Sequence, residues 1–386
     1  RATGHEPGDA RYRALVMSST LRCDVAIVGG GMVGTSAALA LCRMGLSVVL
    51  MERDLCGAHS SGVNFGGVRR QGRPLFQLPL SQRAHQIWGR LPELLGTDGE
   101  YVRSGHLKIA RSEADMASLE RYRESSLDFG LNLQLLTGQR LRERCPWLGP
   151  RALGGSLCPE DGQANPRLVS VAFADAAKRA GANLLERSAV ADVSHDGKLF
   201  SVMTANGLTV TSPSLLNCAG AWAGFIAEKF EESVPLHSGH PAMAVTEPLP
   251  FFMALSLGVE GGGIYCRQVA RGNVVMGGGR GYSLDALRAR SDRNSMHAVM
   301  HQAIELLPSL RYTNMIRTWS GTEAYLPDHQ PVIGPSQRVP GLFHAFGFSG
   351  AGFQISPAVG EVLAELVRDG RSSTPIEAFS INRFSS

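Results

Sequence analysis

The chain has 386 residues, 44% of them hydrophobic and 19% charged, so it can bury a sizeable core and is not a disordered polymer. A formal charge of +4 with scattered Lys and Arg excludes a nucleic-acid binder built on a basic stripe, and the pair Arg69-Arg70 is too short to count as one. No apolar run reaches the roughly 18–20 residues of a membrane span.

Residues 1–21 begin at Arg1, place the first methionine at Met17 and lack the apolar stretch of a signal peptide; they are read as an N-terminal extension outside the fold. Cys23-Asp24-Val25-Ala26-Ile27-Val28 then reads as a buried strand. Glycines follow, and Thr35 to Met44 is an Ala/Leu-rich helix stopped by Gly45. Ser47 to Met51 is a second buried strand, completing a βαβ unit. An amphipathic helix is expected over 81–95, charged helix over 111–145, and another helix over 168–181 before the strand Asn183-Leu184-Leu185. Strands dominate 187–217, with turns at Asp196-Gly197 and Asn206-Gly207. Short strands and glycine clusters fill 231–325 around a helix near 292–307, and a glycine-rich loop at 347–353 precedes a helix from Pro357 to Arg368.

The spacing Gly29-Gly30-Gly31-Met32-Val33-Gly34 fits G-x-G-x-x-G in its proper context, after a strand and before a helix. Gly29 makes the tight turn, Gly31 lets backbone approach a pyrophosphate, and Gly34 lets helix and strand pack closely. The helix N-terminus offers free N–H groups to the phosphates. Glu52, ending the second strand, is placed to accept from ribose hydroxyls and disfavours a 2′-phosphate. The small, hydroxyl-rich loop Gly57 to Arg70 suits a bulky ring and further phosphate oxygens. Seven cysteines, spread and without CxxC, argue against a disulfide scaffold, a zinc site or an iron–sulfur site, and no metal is expected. Reduced thiols in a cytoplasmic protein are the expectation.

The fingerprint with Glu52, the loop SSGVNFGGVRRQ, Gly105-His106-Leu107, Pro159 to Pro166, Asn217 to Trp222, Trp319-Ser320-Gly321, Pro327 to Gly334 and the Gly347–Phe353 loop fall in one order. In that order the chain resembles the D-amino-acid oxidase/sarcosine oxidase/glycine oxidase superfamily of FAD enzymes over about residues 22–370. Its GGVRRQGR stretch is most similar to β subunits of heteromeric dehydrogenases and oxidases of proline, hydroxyproline, opines or sarcosine. The resemblance implies an α/β fold: a Rossmann-type FAD-binding domain (22–80, 146–230 and 326–386) with an inserted mixed α+β substrate or cap domain (81–145 and 231–325). It implies FAD contacts at Gly29, Gly31, Met32, Val33, Gly34, Glu52, Arg53, Ser60, Ser61, Gly66, Gly67, Val68, Val190, Ala219, Gly220, Trp222, Gly347, Gly350, Gly352, Phe353 and Gln354.

The departures from the family pattern matter. Thr322-Glu323-Ala324-Tyr325 offers no cysteine for a covalent flavin, and no histidine stands at Asn165-Pro166-Arg167, so FAD is expected to bind noncovalently. Glu323 stands where glycine oxidases carry a carboxylate-binding arginine, and Gln354 where sarcosine oxidases carry a lysine. Arg267, after Tyr265 on a strand of the substrate domain, and Arg69 are the substitute carboxylate clamps, and Tyr265 is itself a candidate catalytic residue; for the arginines a surface salt-bridge role is the competing reading. Asn273 to Gly277 has no lysine for oxygen activation, which favours a dehydrogenase with partner subunits carrying further redox centres.

The expected chemistry is hydride transfer from Cα of a small amine or amino acid, a secondary amine or imino acid favoured, to flavin N5. His59 and His344 are the histidines near the flavin loops that could poise the amine, or else merely hydrogen-bond structurally. Two alternatives differ in class: an oxygen-using oxidase releasing hydrogen peroxide, and a flavin-binding subunit with little or no catalysis. A flavin monooxygenase is disfavoured, since Gly350-Ala351-Gly352 replaces the late Gly-Asp motif of that class. Placement in the cytoplasm is expected, peripheral to a membrane only through a partner complex.

Overall fold

The computed structural model describes residues 20–384. At its centre a six-stranded sheet runs in the order Val332–Pro335, Leu342–Phe346, Ser214–Asn217, Val25–Val28, Val48–Met51, Asn183–Leu185. All neighbours are parallel except the first pair. Val25–Val28 and Val48–Met51 are buried along their whole length, because helices cover one face and further strands the other; hence they read as unbroken apolar runs. On the helical face, Met32–Arg43, Pro166–Arg179, Leu78–Trp88 and Gly352–Asp369 share one core. The opposite face packs Phe200, Val202 and Val210 of a four-stranded sheet, which Thr20–Arg22 joins in parallel with Thr209–Ser212.

The N-terminal extension expected over 1–21 lies outside the described residues except for Thr20 and Leu21, which are strand. The turns at Asp196-Gly197 and Asn206-Gly207 join the antiparallel strands Val190–His195, Phe200–Thr204 and Thr209–Ser212, as expected.

A nine-stranded sheet forms the second body. Its path is Met315–Ser320, Pro241–Pro248, Asn273–Ser283, Tyr265–Gln268, Ser256–Val259, His106–Ala110, Gly154–Cys158, Gln134–Thr137, with Ala289–Ser291 paired to Asn273–Ser283. Its core includes Leu107, Leu257, Met276 and residues of the helix Arg293–Leu306.

Three boundaries differ from expectation. Helix Leu78–Trp88 buries Leu80, Ala84, Ile87 and Trp88 against the dinucleotide core rather than in the cap, because its apolar face meets Gly352–Asp369. Gly154–Cys158, expected in the dinucleotide domain, pairs instead with His106–Ala110. The charged stretch 111–145 is not continuous helix: Glu113–Ser126 and Gly138–Arg144 flank the strand Gln134–Thr137. Among the described residues no helix is long and apolar enough to cross a membrane.

Candidate active site

A cavity of about 840 Å³ lies between the two bodies, within the size range of cofactor sites. One wall is the dinucleotide unit. Gly29 sits at φ +108°, and a Cβ there would overlap the Cys218 carbonyl. A Cβ at Gly34 would overlap the Gly29 carbonyl, so the two glycines lock turn to helix. Gly31 caps the helix Met32–Arg43 without a side-chain hydrogen bond, leaving the helix N-terminus facing the cavity. Ser61 Oγ accepts from Met32 N at 2.9 Å. The buried Glu52 carboxylate accepts from Gly30 N at 2.6 Å and Asp54 N at 2.9 Å, which fixes the loop and leaves lone pairs for hydroxyls. This donor set fits a pyrophosphate with an adjoining ribose, and the small Gly31 leaves room for it.

Gly29, Gly31, Met32, Val33, Glu52, Arg53, Ser60, Ser61, Gly67, Val190, Ala219, Gly220, Trp222, Gly347, Gly350, Gly352 and Phe353 all line this one cavity. Arg53 lies over the Trp222 ring, 3.3 Å from its centroid. The C-terminal loop places the N-terminus of the long helix Gly352–Asp369, again without a side-chain cap, beside the same space. Gly34, Gly66, Val68 and Gln354 do not line it and support it from behind. Val68 is buried, and Gly66 packs against Ala164 and Arg267. Gln354 is turned into the protein, where its Nε2 donates to Ser81 O at 2.9 Å.

Arg267 is placed outside the cavity, a correction to its expected role as a clamp. Two residues beyond Tyr265 on the same strand, it reaches under the loop of residues 57–70 and donates from Nε to Phe65 O at 2.7 Å. His344 is likewise outside, buried because its strand is interior to the sheet. Its Nε2 donates to Glu232 at 3.0 Å, and Asn217 Nδ2 donates to its Nδ1 at 3.3 Å. Both ring nitrogens are thereby occupied within the protein. His59 does line the cavity, 3.6 Å from Asp54 and edge-on to Trp222.

The second wall holds residues that the sequence pattern did not single out for a role. Tyr265 and Arg69 were candidates; Arg73, His106, Lys108, Glu323, Tyr325 and Met243 join them. Arg73 is 8% exposed and its side chain meets no acceptor in the described residues. Burial, then the Arg69 charge, draws its pKa below the ordinary guanidinium value. Burial and the neighbouring Arg69, Lys108 and Arg73 charges hold the His106 pKa far down, so the ring is neutral. Burial raises the Glu323 carboxyl, partly offset by Tyr325, whose hydroxyl donates to it at 2.9 Å. His106 and Lys108 share one face of their strand by period-two alternation. Gly105-His106-Leu107 and the Arg73 end of GGVRRQGR were visible as motifs; only the tertiary juxtaposition gives them a site.

Among the described residues no three His, Cys, Asp or Glu side chains converge to hold a metal ion, and all seven cysteines are free. Cys218 alone, at the base of the dinucleotide wall, lines the cavity among them, and burial pushes its thiol up to about 12.

The chain is 28% identical to glycine oxidase of Geobacillus kaustophilus (strain HTA426) over 94% of this chain and 98% of that protein. It is 27% identical to an opine oxidase subunit of Rhizobium meliloti, over 94% and 97%. The crystal structure of L-proline dehydrogenase from P. horikoshii superposes with a TM-score of 0.88 at 27% identity, covering 95% of this chain and 98% of that one. The family model DAO, FAD dependent oxidoreductase, matches residues 24–366, and the chain belongs to that family.

Proposed function

We propose that this oxidoreductase oxidises a small amine or amino acid at a C–N bond, a secondary amine or imino acid being favoured, and passes the electrons to a partner protein. One observation carries the reading: a single cavity joins the dinucleotide wall to a wall bearing Arg69, Arg73, Tyr265 and Glu323. Bound against Gly29–Val33, Glu52 and the Gly347–Phe353 loop, FAD would supply a two-electron acceptor for the hydride leaving Cα. The chain's own residues do the rest. A guanidinium fixes the substrate carboxylate, the Tyr265 and Met243 side of the wall excludes water, and Glu323 takes a proton from the entering ammonium so that the amine lone pair is free. FAD is held noncovalently, since Cys218 is a protonated, buried thiol and Thr322–Tyr325 contains no cysteine. Similarity to proteins named as subunits of opine oxidase and sarcosine oxidase supports the partner.

Anaerobic mixing of the FAD-loaded protein with proline, sarcosine and opines tests the reading. Bleaching of the flavin absorbance by one of them is expected, with electrons delivered to an artificial dye much faster than to oxygen. Rapid hydrogen peroxide release by the isolated chain would replace the partner assignment with an oxidase. No bleaching by any amine would leave a flavin-binding subunit.

A further inference from the structure

The second wall carries more positive charge than one substrate carboxylate needs. Three cations line it, Arg69, Arg73 and Lys108, and Arg70 lies outside the cavity next to Arg69 in the chain. Arg70 is satisfied within the protein, donating from Nε to Asp161 at 3.0 Å and pairing with Glu160 at 3.0 Å. The remaining oxygen of Asp161 is filled by the backbone N–H groups of Arg70 and Gln71. Lys108 pairs with Glu260, whose other oxygen accepts from Ser118. Glu323 is bonded to Tyr325.

Arg69 and Arg73 are left. Arg69 donates only to the Gln71 carbonyl, and Arg73 has no side-chain partner at all among the described residues, its Nε being fully buried. Among the described residues neither has a carboxylate within ion-pair distance. Both line the cavity. Beside them, the neutral His106, 5% exposed, keeps a buried Nδ1 without a partner. Arg73 is buried and Arg69 half-buried, and the one carboxylate whose charge reaches both, Asp161, is already bonded to Arg70; guanidiniums left without a paired carboxylate are costly, and ligand anions are what relieve that cost.

Resting on the amine-oxidation reading above, we infer that the substrate is an amine bearing two carboxylates, one bound by Arg69 and the other by Arg73 with His106. A single carboxylate satisfies one planar guanidinium fork; the second fork and His106, donating from Nδ1–H in that tautomer of the neutral ring, match a second carboxylate of the same molecule. An N-carboxyalkyl amino acid has this form, with the secondary amine between the two acids.

Two thioethers that cannot be oxidised at a C–N bond separate this inference from the activity. Thiodiacetate and methylthioacetate differ only in a second carboxylate. Each is titrated into the FAD-loaded protein, and the shift of the flavin absorbance band reads binding. Thiodiacetate is expected to bind at least about tenfold more tightly, the worth of one added charge-assisted hydrogen-bonded pair. Arg73→Gln should erase that preference, and Arg73→Lys should restore part of it. Flavin content and melting temperature of both variants identify any folding loss. Equal affinities in the unsubstituted protein, no band shift with either thioether, or a preference that survives in a folded, flavin-loaded Arg73→Gln protein would each overturn the inference. In parallel, iminodiacetate and sarcosine are compared as anaerobic reductants. Thiodiacetate preference without bleaching by either amine would remove the amine-oxidation reading and keep the dicarboxylate site. Bleaching by both with no thioether preference would do the reverse.

Discussion

Glu323 shows how one side chain can be turned to a task by its surroundings. In water its carboxyl would be ionised at neutral pH, but enclosure in the cavity wall raises its pKa and Tyr325 holds it in place. A raised carboxyl is a better proton acceptor for an ammonium group than an ordinary one, and it stays ionised only above its shifted value. Replacing it by Gln should therefore slow anaerobic flavin reduction about 100-fold near neutral pH. The loss should shrink as pH rises through the substrate amine's own pKa, because the amine then arrives already neutral. Stopped-flow reduction rates between pH 7 and 10 provide the measurement. A loss of equal size at every pH would mean that Glu323 only packs against Tyr325. Glu323 was visible in the sequence as a departure from the arginine of glycine oxidases, not as a group with a role. Its role depends on Tyr265 and Tyr325 enclosing it, and no local pattern carries that information.

At the scale of elements, the dinucleotide unit was legible because its determinants are local. A strand, three spaced glycines, a helix and an acidic residue follow one another within 30 residues. What amphipathicity could not say was which body a helix packs against. Leu78–Trp88 has a clear apolar face, and the surface it meets is the long C-terminal helix, almost 300 residues away. Arg83 pins that contact, donating from Nε to Glu361 at 2.9 Å and from Nη2 to Glu365 at 2.7 Å. Against the opposing effect of burial, the Arg83 hydrogen bonds and charge hold the Glu365 pKa down to about 2. A carboxylate depressed from about 4.5 contributes stability that is complete above its unfolded value and is lost as pH falls toward about 2. Arg83→Ala should cost about 2 kcal/mol at pH 7 by removing charge-assisted bonds. The gap to the unsubstituted protein should narrow between pH 5 and pH 3 as Glu365 is protonated in the unfolded chain. Denaturant unfolding across that range would show it, and a gap independent of pH would assign the loss to packing of the Arg83 stem. The same long helix lies close to Met32–Arg43 because Gly360 leaves no side chain there: a Cβ would stand 2.5 Å from that of Ser36. Both helices therefore bring their N-termini to one cavity.

In the whole molecule, the two sheets meet across one loop. Residues 60–73 carry Ser61 at the dinucleotide wall and Arg69 and Arg73 at the other wall. The nine-stranded sheet grips this loop directly. Trp319 Nε1 donates to Val63 O at 2.7 Å, and Phe65 packs edge-on against Tyr265 with ring centroids 4.7 Å apart; just beyond the sheet's edge strand, the Thr322 carbonyl accepts from Ser60 Oγ. Arg267 supports it from beneath, which gives this side chain a positioning role in place of substrate contact. Such a clamp couples the two walls: the loop cannot shift at one end without displacing the other. Trp319→Phe keeps an aromatic ring and removes the N–H, leaving the Val63 carbonyl without its donor at a cost of about 1–3 kcal/mol. The expected result is a weaker hold on FAD by about 10-fold or more together with a raised half-saturating concentration for thiodiacetate, in a protein whose melting temperature without FAD falls by only a few degrees. Flavin release followed by fluorescence and the thioether titration report the two effects separately. If FAD retention drops while thioether affinity is unchanged in the fraction that keeps its flavin, the two walls are fixed independently and the loop is not the coupling element.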